Sequence, residues 1–86
     1  MERFDSKMNS EMTNNVKDII SSAFRFKSTY EDRVYYILSR MKSSYPSINW
    51  TISIFDRGYS SCSYAKNNYF FCIIDGLCVS ISGYYN

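Results

Sequence analysis

WTISIFDRGYSSCSYAKNNYFFCIIDGLCVSISGYY, residues 50–85, decides the fold. Trp50, Ile52 and Ile54 alternate with Thr51, Ser53 and Phe55, the period of a strand whose heaviest side chains share one face. Asp56-Arg57-Gly58 reads as a turn, because glycine adopts positive φ without a steric penalty. Residues 59–64 then alternate Tyr59, Ser61, Ser63 with Ser60, Cys62, Tyr64, a strand too poor in bulky side chains to fill a core. Residues 65–68 read as a loop and residues 69–74 as a central strand. Asp75-Gly76 is the two-residue signal of a type I′ hairpin. Residues 77–82 form the last strand, followed by a short tail, residues 83–86.

Working outward, the charge changes abruptly at this stretch. Residues 1–50 hold eight Lys or Arg and six Asp or Glu, whereas residues 51–86 hold only Asp56, Arg57, Lys66 and Asp75, all at expected turns. An antiparallel sheet with one wet face alternates apolar with polar residues. The run Tyr69-Phe70-Phe71-Cys72-Ile73-Ile74 is instead apolar on both faces, so something is expected to cover the second one. A chain of 86 residues forms a single domain, residues 1–86, with too little surface to build a second core of its own. The cover expected is therefore another chain, and a face-to-face dimer is the commonest closed arrangement.

Towards the N-terminus the period becomes helical. Asn9 or Ser10 caps a helix whose apolar positions, Met12, Val16, Ile19, Ile20, Ala23 and Phe24, trace one face. Ser28 and Glu31 have the spacing of a capping box for a second helix. Its apolar stripe is Val34, Ile37, Leu38, Met41 and Tyr45, and Pro46 ends it. Residues 1–8 read either as a frayed tail or as a short edge strand, with Phe4 their one large apolar side chain before Met8. The fold class expected is α+β, two helices packed on an antiparallel β-sheet.

Several functions find no support in these residues. The net charge of +2 and the absence of a basic run give nucleic acid no backbone track, and the aromatics at residues 69–71 are better explained by packing than by base stacking. The longest apolar run, residues 69–74, is far short of the roughly 20 residues of a membrane helix. The charged first ten residues lack the apolar core of a signal peptide, which points to the cytosol. There is no histidine, and Cys62, Cys72 and Cys78 have neither an activating base nor metal-ligand spacing. They read as apolar filler. Asp56 and Asp75 sit in turn signals, and Gly58, Gly76 and Gly83 make no phosphate loop. Neither an enzyme nor a cofactor is expected.

The succession of Ser10-Glu11-Met12, a helix ending in Ala23-Phe24, a helix from Asp32 to Met41, Tyr45-Pro46, Trp50 and the strand and turn at residues 69–76 resembles the eight-kilodalton dynein light chains. The resemblance covers about Met8 to Ser82. It implies a dimer in which one strand, here residues 59–64, crosses to the partner's sheet. Tyr59, Ser61, Ser63, Tyr64 and Thr51 would then lie at the dimer interface. A groove between crossing strand and helix would take an extended peptide as an added strand. Ser60, Ser61, Cys62, Ser63 and Tyr64 would offer the pairing edge, Tyr69 and Phe71 would line the floor, and Tyr30 and Glu31 would meet the peptide's central polar residue.

The implied partners are a second copy or a paralogous light chain, and a dynein intermediate chain, in the cytoplasm or a ciliary axoneme on the microtubule cytoskeleton. A motor-independent hub for diverse linear peptides is the alternative. Three positions depart from the family: Glu31 replaces a basic residue, Gly58-Tyr59 replaces an aromatic followed by Gly, and Tyr64 replaces a histidine. Without that histidine, dissociation of the dimer by its protonation is not expected.

Overall fold

The computed structural model describes residues 1, 3–56 and 68–85. Within them lie two helices and a four-stranded antiparallel sheet: β1 (Arg3–Ser6), α1 (Ser10–Phe26), α2 (Tyr30–Ser44), β2 (Ile48–Asp56), β3 (Asn68–Ile74) and β4 (Leu77–Tyr85). The chain is α+β, as expected. The strand expected at residues 59–64, with Ser60, Ser61, Cys62, Ser63 and Tyr64, lies outside the described residues.

α1 starts where the Asn9 side chain accepts the Met12 N–H at 2.8 Å, and Val16, Ile20 and Ala23 are fully buried on its inner face. Capping of α2 differs from the expectation. Thr29 is its N-cap, and its hydroxyl accepts the Asp32 N–H at 3.1 Å, so the cap falls one residue after Ser28. Threonine and serine offer the same acceptor, and the chain's exit from Lys27 decides which of the two reaches the first turn. At the other end the Tyr45 N–H still bonds to Met41, Pro46 follows, and the chain turns into β2.

The sheet order is β1-β3-β4-β2. Asp75 at φ 52° and Gly76 at φ 75° make the β3–β4 hairpin, the left-handed pair that a type I′ turn requires. β2 and β3 both run antiparallel to β4, and so they are parallel to one another with β4 between them. Asp56 lies opposite Leu77 and Asn68 opposite Gly83, six residues further along β4, or about 20 Å. The connection from β2 to β3 is therefore not a hairpin.

Residues directly opposite in a ladder share a face. One face carries Phe70, Cys72, Ile74, Val79, Ile81, Ile48 and Trp50, which join Val16, Ile20, Ile37 and Met41 in the core beneath the helices. The other face carries Tyr69, Phe71, Ile73, Cys78, Ser80, Ser82, Thr51, Ser53 and Phe55. Tyr69, Ile73 and Cys78 on that face are buried in the single chain, whereas Thr51 and Ser53 are exposed. Among the described residues, the exposed part of this face includes Thr51 and Ser53 on β2 and Arg3 and Asp5 on β1.

Of the two readings open for residues 1–8, the structure shows the short edge strand, and the expected C-terminal tail is strand as well. Phe4 anchors β1 by stacking on Phe70, with centroids 5.9 Å apart, and the Lys17 ammonium sits 3.4 Å above its ring. β4 runs on to Tyr85 through Gly83, where the sequence suggests a tail. A Cβ at Gly83 would come within 2.5 Å of the Trp50 ring, so this glycine provides room for the indole and does not end the strand. β2 likewise begins at Ile48, earlier than the alternation from Trp50 indicates, because Ile48 and Asn49 pair with Tyr85 and Tyr84.

Candidate functional site

Among the described residues the sheet has two edges of different character. β1 is four residues long and points Arg3 and Asp5 away from the helices, the charged short edge that discourages added strands. β2 is nine residues long, and from Ile48 to Phe55 it holds no charged side chain. A long uncharged edge strand is the kind that another strand can join. β2 is the candidate site.

α2 lies along this edge, antiparallel to β2, and is tied to it at both ends. At its C-terminal end the Tyr45 carbonyl accepts the Ile48 N–H at 3.2 Å and the Trp50 indole N–H at 3.4 Å. The rings of Tyr45 and Trp50 meet edge to face at 5.9 Å. The Tyr45 hydroxyl accepts from the Asn15 amide at 3.0 Å, which joins α1 to the same corner. At the N-terminal end of α2 the Tyr30 hydroxyl donates to the Asp56 carboxylate at 2.5 Å. This bond, with the nearby negative charge, raises the Tyr30 pKa above its ordinary value.

Side chains on α2 divide by flank. Ile37 and Met41 point into the core, and Arg33 reaches towards α1, its guanidinium 4.2 Å from the centre of the Phe24 ring. At 100° per residue, Glu31, Leu38 and Lys42 fall in one row on the opposite flank, which overlooks the β2 edge. Leu38 is half-buried and packs against the core, while Glu31 and Lys42 are exposed.

The residues singled out from sequence are not all brought together. Tyr30 and Glu31 stand at the N-terminal end of α2, beside the end of β2. Thr51 is exposed on β2. Tyr69 is buried and Phe71 half-buried on β3, on the face away from α2 and separated from β2 by β4. In one chain, therefore, Tyr69 and Phe71 do not adjoin Tyr30 and Glu31. Tyr59, Ser60, Ser61, Cys62, Ser63 and Tyr64 lie outside the described residues.

Asp56, which reads as a solvated turn residue, is instead a partner of Tyr30. No local signal marks that pairing, since the two residues are 26 positions apart.

Chemically, the arrangement suits strand pairing. Among the described residues no three His, Cys, Asp or Glu side chains cluster to hold a metal ion, and no helix is long and apolar enough to cross a membrane. No protein-family model matches the chain, and no curated protein matches it in sequence.

Proposed function

We propose that this chain is a non-catalytic, dimeric light chain of the eight-kilodalton dynein type, which passes a strand to its partner's sheet and binds extended segments of dynein intermediate chains by strand addition. The observation that carries the reading is the contrast between the two sheet edges: β1 is short and charged, β2 long and uncharged with α2 beside it. Strand addition draws its affinity from backbone hydrogen bonds and its specificity from side chains next to the edge. The resemblance in helix order, Tyr45-Pro46 and Trp50 supplies the motor assignment.

Two measurements test this. Light scattering at micromolar concentration should give twice the 10.1 kDa chain mass, and Ser53→Lys on β2 should return the monomer while Asp5→Lys on β1 does not. A wild-type monomer would refute the dimer. Mass spectrometry of proteins that co-purify with the tagged chain at moderate salt should recover dynein intermediate and heavy chains. Recovery of many unrelated proteins and no motor subunit would replace the motor assignment with a general peptide-binding hub.

A further inference from the structure

β1 and β3 are an unequal pair. β3 is seven residues long, holds no charged side chain, and is buried at every position but Phe71. β1 covers it with four residues, of which Arg3, Phe4 and Asp5 are exposed and Ser6 is half-buried. β1 therefore shields an apolar strand while burying little of its own surface. A short, charged cover of this kind keeps other strands away from the strand beneath it.

The side chains that fasten β1 sit in a cradle made by α1 and β3. Phe4 stacks on Phe70 and lies beneath the Lys17 ammonium, and the Ser6 hydroxyl shares a hydrogen bond with that of Thr13 at 2.8 Å. The cradle thus holds an aromatic ring and, two residues on, a hydroxyl. Phe4 is still 46% exposed in it. Backbone bonds complete the attachment, and the Lys7 N–H, which donates to the Tyr69 carbonyl at 2.9 Å, fixes their phase. By the alternation of an antiparallel ladder, the Phe71 and Ile73 amides face β1, whereas those of Phe70 and Cys72 face β4.

We infer that β1 is a detachable guard on a further strand-accepting edge, that of β3. The partner this edge fits is an extended segment with an aromatic residue and, two positions later, Ser or Thr. β3 lies on the far side of β4 from β2, so the inference is independent of what occupies β2. Release of β1 breaks the shortest ladder described, four paired positions against seven between β3 and β4 and nine between β2 and β4. An incoming segment gains backbone bonds from β3 and meets the same Phe70, Lys17 and Thr13 partners. It competes with β1 for one place, so its apparent affinity is reduced to the extent that β1 is docked.

The test uses the full chain, its Phe4→Ala and Ser6→Ala variants, and a peptide of this chain's residues 1–8, with hydrogen exchange followed amide by amide. In the wild type, Phe71 and Ile73 should exchange at least about tenfold faster than Phe70 and Cys72, through release of β1 without unfolding of the core. Both variants should widen that difference, by about tenfold for Phe4→Ala, while Phe70 and Cys72 keep their protection. At millimolar concentration the peptide should restore protection at Phe71 and Ile73 in the variants, and the same peptide carrying Phe4→Ala should not. If all four amides exchange together in the wild type and both variants, β1 is inseparable from the core and the inference is overturned. If Phe71 and Ile73 open alone but the peptide leaves them unprotected, β3 takes no strand in place of β1, and the further edge is refuted.

Discussion

The Tyr30 hydroxyl donates to the Asp56 carboxylate at 2.5 Å, joining the first residue of α2 to the last residue of β2. The bond exists only while the phenol keeps its proton. Because the folded-state pKa lies above the ordinary value of 10.0, its contribution to stability is fully present below about pH 10 and is lost as pH rises through the raised pKa. Tyr30→Phe should therefore melt below the wild type at neutral pH, and the two melting temperatures should converge in strongly alkaline buffer. A gap that stays constant with pH would show that the ring, and not its hydroxyl, stabilises this corner.

The cap of α2 gives a prediction that separates two neighbouring residues. Thr29 holds the Asp32 N–H, and Ser28 holds none of the first-turn donors. Thr29→Ala should cost about 1 kcal/mol in urea unfolding. Ser28→Ala should stay within about 0.5 kcal/mol. Equal losses would mean that the two hydroxyls share the cap.

Gly83 is confined by packing. Its absent Cβ would meet Trp50 Cζ3 at 2.5 Å and Ile48 Cγ2 at 2.7 Å, both core side chains with little room to move. Gly83→Ala should destabilise by about 1–3 kcal/mol. Since Trp50 is the only tryptophan, its emission should shift in the folded variant. An unchanged spectrum and stability would mean that the indole has free space to occupy.

Cys72 lies fully buried under the helices, opposite Val79, and burial pushes its thiol up to about 12. At pH 8 it should resist iodoacetamide in the folded protein and react readily in denaturant, as mapped by mass spectrometry. Rapid labelling in the native state would show that the core opens there. The same shift makes the folded state lose stability as pH rises from the unfolded value of 9.0 through about 12.

Much of the fold was legible in short-range pattern. The apolar spacing from Met12 to Phe24 marks α1, Pro46 stops α2, and Asp75-Gly76 closes the β3–β4 hairpin. Each of these signals acts between residues within about one or two turns of each other in the chain, so local sterics and local hydrogen bonds suffice to set them. The start of α2 at Tyr30 and Glu31 was legible for the same reason, whereas their place in a site came only from the resemblance.

The remainder was decided by contacts between distant residues. Phe4 becomes a strand residue because it pairs with Cys72 and stacks on Phe70, and Gly83 stays within β4 because Trp50 needs its space. The order β1-β3-β4-β2 leaves β2 on an edge, and that placement brings Asp56 to Tyr30 while it keeps Tyr69 and Phe71 two strands away. Helical and strand periods, the caps and the hairpin belong to the sequence by itself, since a residue's neighbours along the chain determine them. Which described strands lie at the edges, and which residues stand beside them, only the tertiary structure decided, because pairing between remote segments depends on how the whole core packs.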